Sequence, residues 1–523
     1  MHRRSRRRWL PTCGLALMAG AFALLITPTS SGEDLASRPD VAVASPPAER
    51  VATAPDSLDL ATFLDLVRRR HPRFRQLALA GDVARAERRR LPTVQDWRLE
   101  IGPGWSYREP IETSAFAPRM VESVSISAGV ERPFWATGGR FFAGWRASWT
   151  EQDLPTVAIP GPGGAGATTI ETGPGTLHRS GVSVRYAQPL WRNLGGDLDR
   201  LEYRAAGHSV TLAGLRAREE QESFLLEIAS QYLDWVRWER SVTIAAERLR
   251  IAREQTALVE AKLARNLVDR VDLLRARDAE VLARSSLVRV RAEREAERRA
   301  LSVLAGLDDL AGHRPVDSLT EPVALAPPET VFASLRDRAR ILRMVEQQQA
   351  RLAVRQDGAR GRGEPDLSLD LDLGLQGGDR DGHLASWEVD RPDLQVGLTF
   401  RQQLGAGSAE AERDELAVRA RRLGYLEERT ARDLRAAILR LHARLEGMAE
   451  LLMLDRRRVD LASRKAAAER ELYREGRNPL NFVLQAQQAE QGARQTLVDD
   501  GAAYHRLLQR YRALTDQLLV ESR

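Results

Sequence analysis

Two carboxylates, Asp370 and Asp372, stand two residues apart in the stretch Leu367–Leu375, which reads LSLDLDLGL. Carboxylates at close range are the equipment of acid–base or metal-assisted chemistry. Here the spacing puts both on one face of an extended strand beside Ser368 and Gly374, with leucines on the other face. Nothing else gathers around them. The eight histidines include no pair at metal-ligand spacing, His178 and His208 standing far apart, and neither an activated nucleophile nor a phosphate loop is present in the sequence. No catalytic residue, metal site or cofactor is therefore expected, and no enzymatic activity. What remains is physical: a strand with one apolar and one wet face, whose aspartates line a solvated interior while the leucines meet lipid. About 9–11 such residues suffice for a barrel strand to cross a bilayer.

At 523 residues, 43% hydrophobic and 29% charged, composition excludes no class of folded protein. The formal charge of +6 is another matter. Arg3, Arg4, Arg6, Arg7 and Arg8 precede the apolar run Leu15–Ile26, and residues 1–32 contain no acid. This is the pattern of a cleavable secretion signal. Beyond residue 32 the chain carries 74 basic against 73 acidic residues, so the basic stripe that nucleic-acid binding requires is not expected. The single cysteine, Cys13, belongs to the signal, which leaves a secreted chain without a thiol. Residues 33–56, rich in Ala, Pro and Ser, read as a flexible lead.

The elements that would position such strands follow in order. Helical periodicity runs from Leu60 to Arg90, interrupted at Pro72. From Trp97 to Trp191 the period changes to two. Val124–Val130, Phe141–Trp149 and Val182–Tyr186 alternate apolar with small or polar residues, and Trp97–Glu109 is a further alternating stretch. Twelve of the chain's 29 aromatics fall here, the supply that interfacial girdles need. Pro155–Thr176 reads as a long exposed loop. A proline-free helix then spans about Ala205–Arg265 with a seam at Leu225, Ile228, Tyr232 and Trp235, and a second ends near Ala305.

After a proline-rich linker at 314–328 the plan of 57–313 is repeated over 329–520. A helix of roughly 29 residues starts at Glu329, strands lie at Leu367–Leu375 and Leu394–Phe400, and helices cover Ser408–Glu475 and Leu480–Leu519. A shift of 210 places Leu274, Ala276, Ala279, Glu280, Ala283, Arg284 and Leu287 on identical residues, which argues for internal duplication. Helices of about 61 and 68 residues are ~90–100 Å long at about 1.5 Å per residue. In each half two shorter helices stacked end to end pair along the long one, with Leu434, Ile438, Leu441, Leu445, Met448 and Leu452 as a packing stripe. Four or so strands cannot close a barrel, and an open edge in lipid costs several kcal/mol per unpaired group, so several copies must share one.

Two helix junctions and two strand exits in this plan resemble those of TolC-type outer-membrane efflux channels. Asn266-Leu267-Val268-Asp269 with Asp272 and Ala276 is similar to that family's first helix-hairpin tip, with Asn266 where the family usually has Gly. Gly476 followed by Val483, Leu484 and Ala486 resembles the second, and Gln188-Pro189-Leu190 and Gln403-Leu404-Gly405 resemble its strand-to-helix junctions. The resemblance implies a mixed fold: a β-barrel of twelve strands shared by a homotrimer in outer-membrane lipid, above a long periplasmic coiled-coil α-helical barrel. It implies the outer membrane of a Gram-negative bacterium, and an exit duct for tripartite efflux or type I secretion that meets a periplasmic adaptor and an inner-membrane pump. Asn266, Leu267, Val268, Gly476, Asn478 and Pro479 would form the adaptor-facing tips. Asp269, Asp272, Phe482 and Gln485 would stand at the constriction, and Asp370 and Asp372 would face the lumen. The alternative, a structural periplasmic coiled-coil protein without transport, explains the helices and leaves the alternating strands without a role.

Overall fold

In the computed structural model, residues 57–111, 117–153, 175–379, 388–405 and 407–519 are described in full, and 156–160 and 167–171 by their backbone. The expected signal and flexible lead lie outside the described residues.

The chain enters through a two-residue strand β1 (Ser57–Leu58) and helices α1 (Leu60–Arg70) and α2 (Pro72–Arg90). Asp59 caps α1 by accepting from the Thr62 amide at 2.9 Å, and the Thr62 side chain first, then that amide, hold its carboxyl below the usual range; Pro72 opens α2, where its missing N–H costs nothing. Strands β2 (Arg98–Arg108), β3 (Met120–Phe134), β4 (Gly139–Asp153) and β7 (Thr176–Pro189) follow, with β5 (Thr156–Pro160) and β6 (Ala167–Glu171) between the last two. The long helix α3 (Leu201–Leu263) and α4 (Arg270–Leu304) complete the first half. The second half holds β8 (Arg314–Pro315), α5 (Pro328–Leu335), α6 (Arg340–Arg362), β9 (Asp366–Asp379), β10 (Arg391–Arg401), α7 (Gly407–Arg474) and α8 (Leu480–Leu514).

One antiparallel sheet unites both halves in the order β10-β9-β7-β4-β3-β2. Its six strands correct the expectation of about four: Trp97–Glu109 contributes β2, paired with β3 along its whole length. The expected loop at 155–176 contains a two-stranded ribbon, β5 with β6, because its Thr, Val and Ile residues alternate well enough to pair. The stretch 314–328 is also more than a spacer, since β8 pairs in parallel with β1. Tyr232 of α3 fastens that pair: its hydroxyl lies 2.8 Å from the Leu58 carbonyl and 2.5 Å from Asp317, and burial pushes its ionisation well above the ordinary tyrosine range.

No helix among the described residues is long and apolar enough to cross a membrane. The helices pack on each other. α3 carries α2 along one part of its length and α4 along another, α7 likewise carries α6 and α8, and α3 joins the two sets through α6 and α8. The seam Leu225, Ile228, Tyr232 and Trp235 is fully buried against Phe63 and Val67 of α1 and Leu310 and Leu319 of the connecting segment. The stripe Leu434, Ile438, Leu441, Leu445 and Leu452 packs on Tyr504 and Leu508 of α8. Each such side chain contributes about 1.5–3 kcal/mol relative to exposure.

The expected 29-residue helix from Glu329 is broken at 336–339. Ala339 turns extended, and the Arg340 amide donates to Asp516 at 2.9 Å instead of continuing the helix. Leu335 and Ala339 on either side are buried in the α7–α8 core. Burial and a tertiary bond override local helix propensity here.

A pair of carboxyl groups, Asp455 of α7 and Asp500 of α8, meets between those helices. Burial, and next the adjacent Asp455, hold the Asp500 carboxyl above the ordinary range. The folded state therefore keeps a proton that the unfolded chain releases at lower pH, and stability falls as pH rises through that interval. Asp500→Asn is expected to flatten this slope, raising the thermal midpoint at pH 7 more than at pH 4; an unchanged difference between the two pH values would refute the assignment.

Candidate functional site

Two regions gather the residues singled out by the sequence. The first is the sheet. Its register carries an unbroken apolar row across all six strands, Leu394-Leu373-Val184-Ala143-Val130-Leu99, and a second, Pro392-Leu375-Val182-Trp145-Ala128-Ile101. Pairing at period two turns every second residue the same way, so these rows share one face. That face is open at both ends of the sheet: Leu394, Val396, Leu398 and Phe400 are 61–68% exposed, Leu99, Ile101 and Trp105 of β2 are 53–67% exposed, and Leu371, Leu373 and Leu375 of β9 are 37–49% exposed. The intervening row, Gln395-Asp372-Arg185-Phe142-Glu131-Arg98, occupies the opposite face. There the structure places both aspartates. Asp372 accepts from Arg185 Nε at 2.8 Å, and Asp370 accepts from the hydroxyls of Thr399 at 3.2 Å and Ser368 at 3.3 Å. Both carboxylates are half-buried and partnered.

The second region is formed by the hairpins α3–α4 and α7–α8. Each turn is built the same way: Asn266 and Gly476 adopt left-handed backbone (φ 52° and 75°), and the amides of Leu267 and Arg477 reach back five residues to the carbonyls of Lys262 and Leu472. This is a helix-ending motif that glycine and asparagine accept at least strain. The same geometry ends α4 and α8, at Gly306 (φ 64°) and Asp516 (φ 58°), again 210 residues apart.

The two turns touch. Val268 and Leu273 of the first pack with Tyr473, Leu480 and Val483 of the second around Val259 and Ala276. Lys262 clasps them, donating to the Tyr473 carbonyl at 2.5 Å with its ammonium 4.1 Å from the Tyr473 ring centre. Sequence reasoning missed this contact. A signal existed, because Lys262 is one of only two lysines in an otherwise Arg-based chain. Asp272 accepts from Arg275 at 3.3 Å and lies near Tyr473, whose phenol is pushed up by burial first and by that carboxylate next. Asn478 donates to Glu469. Asp269 and Pro479 stand at the N-termini of α4 and α8, and Asp269 makes no side-chain cap bond. Leu267, Phe482 and Gln485 are exposed, Leu267 at 66% and Phe482 at 45%.

Outside these regions, one acidic group converges among the described residues: Glu219, Glu222 and Asp516. Arg340 occupies its centre, bonding Glu222, Asp516 at 2.9 Å and Glu219 at 3.3 Å, so an arginine already neutralises the charge a cation would need.

No protein-family model and no curated protein matches the chain in sequence. Solved structures match in shape. A CusC structure described in terms of transmembrane channel formation superposes with a TM-score of 0.63 at 16% identity, covering 87% of this chain and 91% of its own. The outer membrane protein VceC of Vibrio cholerae gives 0.61 at 13% identity over 87% and 96%. The MtrE outer membrane channel of Neisseria gonorrhoeae, in its open state, gives 0.59 at 14% identity over 88% and 89%. The chain has the fold of the TolC-type outer-membrane channels.

Proposed function

We propose that this chain is one subunit of an outer-membrane channel, the exit duct of a tripartite efflux or type I secretion system, working as a homotrimer with a periplasmic adaptor and an inner-membrane pump. The observation that carries the reading is the apolar face running over six strands, exposed at Leu394, Val396, Leu398, Phe400, Leu99 and Ile101 with no helix of the described residues packed on it, on a sheet whose outer strands β10 and β2 have no further strand partner among the described residues. In water such a face and such edges invite aggregation; in lipid the face is satisfied, and the edges are satisfied once copies join into a closed barrel. The partial fold agreement with outer-membrane channels supports the same reading, as does the exposed stripe Val271, Leu274, Val281 and Val288 on α4, which a neighbouring copy would cover. The repeated caps and the equal 35-residue lengths of α4 and α8 support an origin by duplication.

In this arrangement the sheet spans the outer membrane of a Gram-negative bacterium, the helical rods stand in the periplasm, and Asp370 and Asp372 line the lumen. Asn266, Leu267, Val268, Gly476, Asn478 and Pro479 face the adaptor. Asp269, Asp272, Phe482 and Gln485 flank the constriction. The test is extraction and conductance: the protein should leave the membrane fraction only with detergent, run as a heat-modifiable oligomer, and open ion-conducting pores in a planar bilayer. A detergent-free soluble monomer that forms no pore refutes the proposal.

The Lys262 clasp gives a narrower prediction. Lys262→Ala removes a charged hydrogen bond of about 1.5–3 kcal/mol and a cation–π contact of about 0.5–1 kcal/mol. The hairpins should part more easily, giving higher single-channel conductance and faster protease cleavage near Asn266 at an unchanged melting midpoint of the helical core. Conductance equal to wild type would assign the clasp a purely structural role.

A further inference from the structure

Resting on the channel reading, we infer that the shared barrel has six strands from every copy, eighteen in a trimer, and that its bore equals that of the helical tube beneath it. The resemblance drawn from sequence implied twelve. Two observations support the larger count independently.

The first is width. The long helices of one chain pack in two rows of four, α2-α3-α6-α7 on the sheet side and α4-α3-α8-α7 on the hairpin side. Four helices at interaxial distances of about 8–10 Å cover roughly 32–40 Å of a circumference. Six strands about 4.8 Å apart and tilted by about 40° cover roughly 38 Å, whereas four would cover only about 25 Å. The six-stranded sheet therefore continues the helical wall without a step, and this match holds whatever the number of copies.

The second is parity. All five ladders of the sheet are antiparallel, so its outer strands β10 and β2 run in opposite directions. β2 of one copy can then join β10 of the next with the alternation preserved, the even count required of such barrels. The apolar rows end on β10 at Leu394 and Pro392 and on β2 at Leu99 and Ile101, so the lipid face also continues from one copy to the next. The first half holds four of the sheet's strands and the second half two. Addition of one hairpin, a pair of strands, is the smallest change that widens a barrel without reversing its polarity.

Eighteen strands give a backbone ring about 36 Å across and, allowing about 5 Å of side chain on each wall, a lumen near 26 Å; twelve would leave about 14 Å. A tube of twelve helices at about 8–10 Å spacing has a comparable lumen, about 21–28 Å, after subtracting a helix diameter of about 10 Å. The mouth then imposes no narrowing beyond that of the helical tube.

Electron cryo-microscopy of the detergent-extracted full-length protein tests this directly, by counting strands in cross-section. Eighteen strands with β2 beside β10 of a neighbour is the expected result. Cysteine pairs in the otherwise thiol-free secreted chain give a second readout: Val396→Cys combined in turn with Leu99→Cys, Ile101→Cys or Trp105→Cys should yield covalent oligomers on mild oxidation for at least one pair. A trimer of twelve strands with β2 and β3 outside the ring, or a β10 cysteine that links only to a strand other than β2, overturns the inference and leaves the channel reading standing. A particle with no barrel overturns both.

Discussion

Arginine in place of Leu373 will prevent assembly of a membrane-inserted oligomer, while asparagine in place of its neighbour Asp372 will leave assembly intact. The two residues adjoin in β9 and differ only in the face they occupy. Leu373 lies in the middle of an apolar row that crosses the whole sheet and is half exposed in the single chain. On a water-facing surface such a change costs within about 0.5 kcal/mol. At the midplane of a bilayer, arginine on the lipid face of a strand costs about 2–4 kcal/mol, and symmetry repeats that cost in every copy. Asp372→Asn loses an exposed ion pair with Arg185 worth about 0–1 kcal/mol. The measurement is the fraction of heat-modifiable oligomer in the outer-membrane fraction for each variant. Equal recovery of the two variants would mean that the leucine face meets water, and the barrel reading would fail with it.

The second large effect is expected at Arg340, where α6 begins after the helix break. Its guanidinium is nearly buried and bonds Glu222 of α3 and Asp516 beyond α8, drawing three separate segments together. Glu222 is more deeply buried still, and it also accepts the Leu518 amide at 3.0 Å. Arg340→Met strands that carboxylate without a counter-charge, and removal of one partner from a buried pair costs about 3–5 kcal/mol. The unfolding midpoint in denaturant should drop accordingly. Adding Glu222→Gln to Arg340→Met removes the orphaned charge and should recover most of the loss. Lack of recovery would show that the arginine acts through packing of its stem, and not through charge.

These two sites differ in how they could be found. The leucine face of β9 is written in nine consecutive residues, whose alternation specifies which side chains go together and which face is wet. The long helices were equally legible: periodicity placed them at 205–265 and 408–475, and they run from Leu201 to Leu263 and from Gly407 to Arg474. The hairpin turns were visible through the break in helical periodicity after Arg265 and the Gly476–Pro479 helix stop, both of which resemble the tips of the TolC-type channels; the left-handed backbone at Asn266 and Gly476 came only with the structure. The Arg340 cluster left no such trace. Its partners lie more than a hundred residues away in sequence, in helices whose many other charges look alike, and nothing local distinguishes Glu222 from Glu219 or Glu220.

Strand count fell between these cases. The alternation in Trp97–Glu109 was readable, yet whether it joined the sheet depended on β3 offering a free edge, which is a property of the assembled sheet. The pairing of β1 with β8 joins two dipeptides from distant parts of the chain, too short for any period to appear. By itself the amino-acid sequence determined the faces and lengths of the elements, because hydrophobic periodicity acts over neighbouring residues. Only the tertiary structure decided which faces meet, where a helix must break, and that Lys262 holds one hairpin to the other, because those outcomes turn on distances between segments that share no local pattern.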